Sequence, residues 1–235
     1  MVQSNDNRKY WLLASAGMTL NEGKREMIKI WGRNNSVNVQ KVMWAVGELG
    51  LPHTRLDAGG AFGKTKEAPY LAMNPNALVP TLEEEDGFTL WESNSIVRYL
   101  AAKHDKAAVL EPKELRVRAL AAKWMDWQLS VVGPAITPVF WGLIRTPPEK
   151  RDMAAIKAGT EKTTAAMQML EAQLARTKFV AGDTFSYGDI PVGCMCYRYR
   201  HLVPDRPAMP NLDRWFAAIA ARKAFHDAVG SIPLT

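Results

Sequence analysis

The chain has 235 residues, 47% hydrophobic and 23% charged, with a formal net charge of +6. That composition excludes a collagen-like, low-complexity or disordered body, and the length fits one large domain or two small ones. The positive excess lies in residues 106–235, where eighteen basic residues face twelve acidic ones. Such a field attracts anions, an anionic substrate included. The even spread of the charges along helical patterns favours the plainer reading of solvated helix faces, and no basic-aromatic stripe or finger spacing points to nucleic acid.

Residues 1–26 stand apart. Tyr10–Met18 follows Arg8 and Lys9 in the manner of a short secretory leader, but the apolar stretch is brief, and a peripheral extension ahead of Met27 is the expectation. Met27–Trp31 then reads as a buried strand ended by Gly32. Val39, Val42, Met43 and Val46 recur at helical spacing, with Gly50 and Pro52 as stop signals. His53–Asp57 predicts a second strand, Ala58–Gly63 a glycine-rich loop, and Ala68–Met73 a short helix closed by Asn74-Pro75-Asn76. Val79–Glu84 and Phe88–Trp91 bracket Asp86-Gly87, a strong hairpin signal. A helix is expected from Ser93 to Lys103. The order β-α-β-α-β-β-α describes a thioredoxin-like domain over residues 27–105.

A polar linker with Pro112 follows, and residues 113–235 read as an all-helical domain. Its stripes are Leu120, Trp124 and Trp127; Ile156, Thr163, Met167, Leu170 and Leu174; Ile190, Cys194 and Tyr197; and Leu212, Trp215, Phe216 and Ile219. Cys194 and Cys196 are two apart in a helical pattern and form no disulfide framework, which fits a reducing, cytoplasmic setting. No apolar run approaches the roughly 18 residues that span a bilayer, so no membrane is expected. The four histidines lack ligand spacing, so no metal is expected. Ala58–Thr65 nearly matches a phosphate-binding loop, but its first position is Ala, the strand before it is polar, and Pro69 interrupts the helix it needs.

Four local patterns carry a family resemblance. Leu78-Val79-Pro80 is a turn into a strand that suits a cis proline. Glu92-Ser93 stands at a helix N-terminus, where unpaired N–H groups favour an anion. Asn34–Val42 is a strand-to-helix junction bearing Ser36 and Asn38, and Ser186–Asp189 reads as a capping box. With these motifs Met27 onward resembles the bacterial glutathione transferases, of the serine-bearing theta and nu type. The plain readings are an edge-strand proline at Pro80 and ordinary helix caps at Ser93 and Ser36.

The resemblance implies a glutathione transferase fold and glutathione as co-substrate. Val79 and Pro80 would present backbone to the cysteinyl part, and Glu92 and Ser93 would hold the γ-glutamyl end. A hydroxyl at the junction would favour the thiolate, with Ser36 ahead of Asn35 and Asn38. Relatives carry Lys or Gln where Leu78 stands, so the glycyl carboxylate needs another partner, for which Lys64, Lys66 and Asn76 remain open. Phe140 and Trp141, beside the helix breakers Pro134 and Pro138, are expected to line an apolar acceptor pocket. The resemblance further implies a homodimer that conjugates glutathione to a small, largely apolar electrophile. The competing expectation is a protein of the same fold without turnover, acting as a regulatory or interaction module.

Overall fold

A computed structural model describes residues 27–235; the reading of residues 1–26 lies outside the described residues. Strand β1 (Ile28–Trp31) leads through the junction into α1 (Val37–Leu49), then β2 (His53–Leu56), a 3-10 turn at Gly60–Phe62, α2 (Ala68–Met73), β3 (Thr81–Glu83), β4 (Thr89–Trp91) and α3 (Ser93–His104). The sheet order is β2-β1-β3-β4. β1 pairs parallel with β2 and antiparallel with β3, which pairs antiparallel with β4. The parallel pair needs the crossover that α1 supplies, and the antiparallel pair needs only the Asp86-Gly87 turn. Gly50 closes α1 at φ 58, ψ 39, where a Cβ would be strained, and its N–H reaches the Gly47 and Val46 carbonyls.

The polar segment after α3 is ordered by one carboxylate. Asp105 accepts from the N–H groups of Val109, Leu110 and Glu111 at 2.6–2.7 Å. Beyond it come α4 (Leu115–Trp127), α5 (Gly133–Phe140), α6 (Met153–Leu174), α7 (Asp189–Leu202), α8 (Pro210–Ala220) and the short α9 (Lys223–Phe225).

Three expectations differ from the fold. Pro134 and Pro138 do not break the helix: one helical run extends from Leu115 to Arg145, with wide turns at Gln128–Val132 and Trp141–Arg145. Wider π-turns accommodate the carbonyls that a proline ring displaces and the N–H it lacks. That unbroken run also contains, among the described residues, an 18-residue window with a mean hydropathy of 1.3, long and apolar enough to cross a membrane, which the sequence reading did not anticipate. In the fold α5 packs against α6 and α7. Leu120, read as an inward residue, is exposed; Ala121, Trp124 and Met125 are the buried face of α4.

The helical half is closed around Asp189, which is fully buried. Its Oδ1 accepts from Val180 N–H at 3.0 Å and Trp215 Nε1 at 2.8 Å; its Oδ2 accepts from Ser186 N–H at 2.9 Å. The reach back to Ser186 is the capping-box bond expected from the sequence. The bonds to Val180 and Trp215 tie a loop and α8 to the same carboxylate. Burial pushes the Asp189 carboxyl up to about 6 against the pull of these donors. A carboxyl held above its unfolded value binds its proton more tightly when folded. The stability this adds is present below pH ~4 and is lost as pH rises through about 6.

Asp189→Ala, which removes the acceptor of four donors, the Ser186 hydroxyl at 3.3 Å included, is expected to cost about 2–4 kcal/mol in urea unfolding. The wild-type advantage should be largest near pH 4 and shrink towards pH 7; an advantage that grows with pH would contradict the buried-carboxyl account.

Candidate active site

The N-terminus of α1 forms the floor of the site. Ser36 occupies the cap position with extended backbone (φ −79, ψ 121), yet its hydroxyl makes no capping bond. The plain reading of Ser36 as a side-chain cap therefore fails. The residue is 8% exposed and faces a cleft of about 540 Å³ between the junction loop, the 3-10 turn and α5. Asn35 lines the same cleft and is differently engaged: its Nδ2 donates to Thr235 Oγ1 at 2.6 Å, while its Oδ1 is buried without a partner among the described residues. Asn38 is exposed and lines the same cleft.

A second, smaller recess adjoins the first. It is lined by Asn76, Leu78, Val79, Pro80, Glu92 and Ser93, and Asn38 is the one residue the two recesses share. The Val79–Pro80 bond is cis. The turn before it is clamped through the Leu78 carbonyl, which accepts from Tyr70 Oη at 2.6 Å and Asn74 Nδ2 at 2.9 Å, while the Leu78 side chain points to solvent. Glu92 carries a left-handed backbone (φ 70, ψ 107), a conformation a non-glycine residue holds only where its surroundings enforce it. Ser93, buried, opens α3, where helix N–H groups are without intrahelical partners.

Seven of the expected binding and catalytic residues thus converge: Asn35, Ser36, Asn38, Val79, Pro80, Glu92 and Ser93. Asn76 joins them, its Nδ2 donating to Asn74 Oδ1 at 3.2 Å. Lys64 does not; it lines a separate recess beside Trp31 and Tyr70. Phe140 and Trp141 do line the large cleft, but its wall is not the apolar surface expected. Arg33, Arg145 and Arg198 also line it, and among the described residues no carboxylate does.

Sequence reasoning missed Lys41. This side chain is fully buried, and its Nζ donates to Gln128 Oε1 at 2.7 Å, across 87 residues of sequence. Burial, with the nearby Arg198 charge adding to it and Cys194 and Glu92 opposing, lowers its ammonium to about 8. A lysine in the middle of the apolar stripe of a helix was the available signal. A cation held below its unfolded value opposes folding when charged, so the penalty is lifted as pH rises from about 8 towards ~10.4. Relative to Lys41→Met, the wild type is expected to gain stability between pH 8 and pH 10 in denaturant titrations. A constant difference would show that the lysine is not desolvated.

A family model described as the glutathione S-transferase N-terminal domain matches residues 35–103, and its C-terminal counterpart matches residues 132–223. The chain is 43% identical over 204 residues to glutathione S-transferase GstB of Escherichia coli K12, covering 86% of this chain and 98% of that protein. It is 31% identical to glutathione S-transferase 3 of Zea mays over 216 residues, covering 88% and 95% respectively. Among solved structures, the theta class glutathione S-transferase of Xanthomonas axonopodis pv. citri with glutathione bound superposes with a TM-score of 0.84 at 40% identity, over 88% of this chain and 99% of that one.

Proposed function

The chain belongs to the glutathione S-transferase family, and we propose from that premise that it binds glutathione and transfers its thiolate to a small electrophile. The observation that carries the proposal is the shared wall at Asn38: a recess with Val79, Glu92 and Ser93 opens beside a cleft floored by Ser36. A tripeptide in the first recess would bring its sulfur to the start of α1. The cis peptide of Val79 would offer backbone N–H and C=O to the cysteinyl unit as an added strand. The γ-glutamyl carboxylate would sit at the Ser93 helix start, with Glu92 facing the α-ammonium.

The mechanism is thiol activation followed by displacement. A free thiol has a pKa of ~8.5, so only a few per cent is thiolate at pH 7. The Ser36 hydroxyl, unused as a cap, would donate to the sulfur, with the exposed Asn38 amide as a second donor and the α1 dipole adding in the same direction. Ordering thiolate and electrophile in adjoining recesses supplies proximity. Asn76 is assigned to the glycyl end, since Lys64 lies in a different recess.

Two further assignments follow the family. The protein forms a two-fold dimer, which the exposed apolar Phe88, Leu129 and Val131 support, and its setting is the cytoplasm. In support of a reducing compartment, Cys194 and Cys196 are buried and unbridged, their thiols pushed up to about 12 by burial.

Glutathione titration should saturate, with an ultraviolet thiolate band. Ser36→Ala is expected to raise the thiol pKa by ~1 unit or more and lower kcat/KM about tenfold while leaving the dissociation constant within a few-fold. Glu92→Gln should do the reverse, weakening binding with little effect on the bound thiol pKa. An unchanged band in Ser36→Ala would move the role to Asn38, and no binding at millimolar glutathione would favour an interaction module.

A further inference from the structure

The large cleft was expected to be an apolar acceptor pocket, and its aromatic residues do face it. Phe140, however, is 7% exposed and carries two cations against its ring: the Arg198 guanidinium carbon lies 4.1 Å from the ring centroid and that of Arg145 lies 5.8 Å away. Arg33 joins them from the junction loop on the opposite wall. The three come from positions 33, 145 and 198, so the fold alone brings them together.

Among the described residues no carboxylate pairs with Arg33, Arg145 or Arg198, although other arginines, such as Arg55, Arg98, Arg200 and Arg222, are paired. Arg198 is only 8% exposed, and its Nε is buried without a hydrogen-bond partner. Burial and the mutual repulsion of the group lower Arg33, and burial chiefly lowers Arg198, to about 10. A desolvated cation with unused donors is costly unless something of opposite charge completes it. Guanidinium groups match a carboxylate or sulfonate through paired N–H donors.

We propose that this cleft selects electrophiles bearing a carboxylate or sulfonate, held by Arg145 and Arg198 over Phe140 with Arg33 closing the other side. The inference rests on the glutathione-transfer reading above. The anion fixes the acceptor so that its reacting carbon faces the sulfur above Ser36. With an activated aryl chloride the thiolate forms a C–S bond, the C–Cl bond breaks, and chloride leaves with the bonding electrons. The thiol proton has already passed to solvent, and nothing is oxidised or reduced.

The test uses the full chain with 4-chloro-3-nitrobenzoate and its uncharged shape-mimic 4-chloro-3-nitrobenzamide, each kcat/KM divided by the uncatalysed rate with glutathione. Wild type should prefer the carboxylate about tenfold or more, the scale of one charged hydrogen-bonded pair. Arg145 is exposed, so its replacement spares the core. Arg145→Gln should collapse that ratio about tenfold and Arg145→Lys should restore part of it, while the glutathione dissociation constant stays within about threefold. No preference in wild type overturns the proposal. So does a parallel fall for both acceptors with weakened glutathione binding, which would make the anion glutathione's own carboxylate. Failure of the parent reading shows itself separately, as wild type that does not bind glutathione in the titration.

Discussion

Lys41 and Glu48 project from α1 and are bound by residues of the helical half. Lys41 donates to Gln128, and Glu48 receives a two-pronged contact from Arg222 at 2.6 and 2.7 Å while accepting from Trp44 Nε1. Close packing reinforces both. A Cβ on Gly193 would come within 2.9 Å of the Trp44 ring, and one on Gly47 within 2.9 Å of Ala224. α1 therefore belongs structurally to both halves, packing on α3 from one and on α7 and α9 from the other. Its N-terminus carries Ser36 and Asn38, so under the proposed reading the position of the reacting sulfur would depend on how firmly this helix is fixed. Buried polar bonds of this kind are worth most when every member is satisfied, and the Glu48 carboxylate, with both oxygens bonded, comes nearest to that.

The electrostatics of the two recesses differ, and the difference supports the roles proposed for them. The small recess mixes a carboxylate with a helix start, which suits a zwitterionic γ-glutamyl group. Among the described residues the charged groups lining the large cleft are all cationic, with aromatic surface beneath Arg145 and Arg198. A thiolate formed at their junction lies in a positive field from α1 and from the arginines, which favours the charged form of the sulfur. The same field draws in an anionic second reactant and penalises a neutral one only through lost attraction.

Local chemistry made much of this legible in the sequence. Gly50 with Pro52, Asp86-Gly87 and the Ser186–Asp189 spacing each act within a few residues, and each element they predict is present. The motif residues Val79, Pro80, Glu92 and Ser93 meet because a short hairpin joins them. What escaped was set by long-range packing. The Lys41–Gln128 bond spans 87 positions, and the arginines are scattered over three segments, where each alone reads as a solvated charge. The prolines misled because wide helical turns absorbed them, and Leu120 misled because the stripe on α4 is rotated towards Ala121.

The central claim is that glutathione lies across the two recesses with its sulfur at the start of α1. A crystal structure of the protein with glutathione tests it most directly. The account predicts the γ-glutamyl carboxylate at Ser93, backbone pairing with Val79, and the sulfur within hydrogen-bond reach of Ser36 Oγ or Asn38 Nδ2. A sulfur turned away from α1, or a tripeptide seated on the arginines of the large cleft, would contradict it.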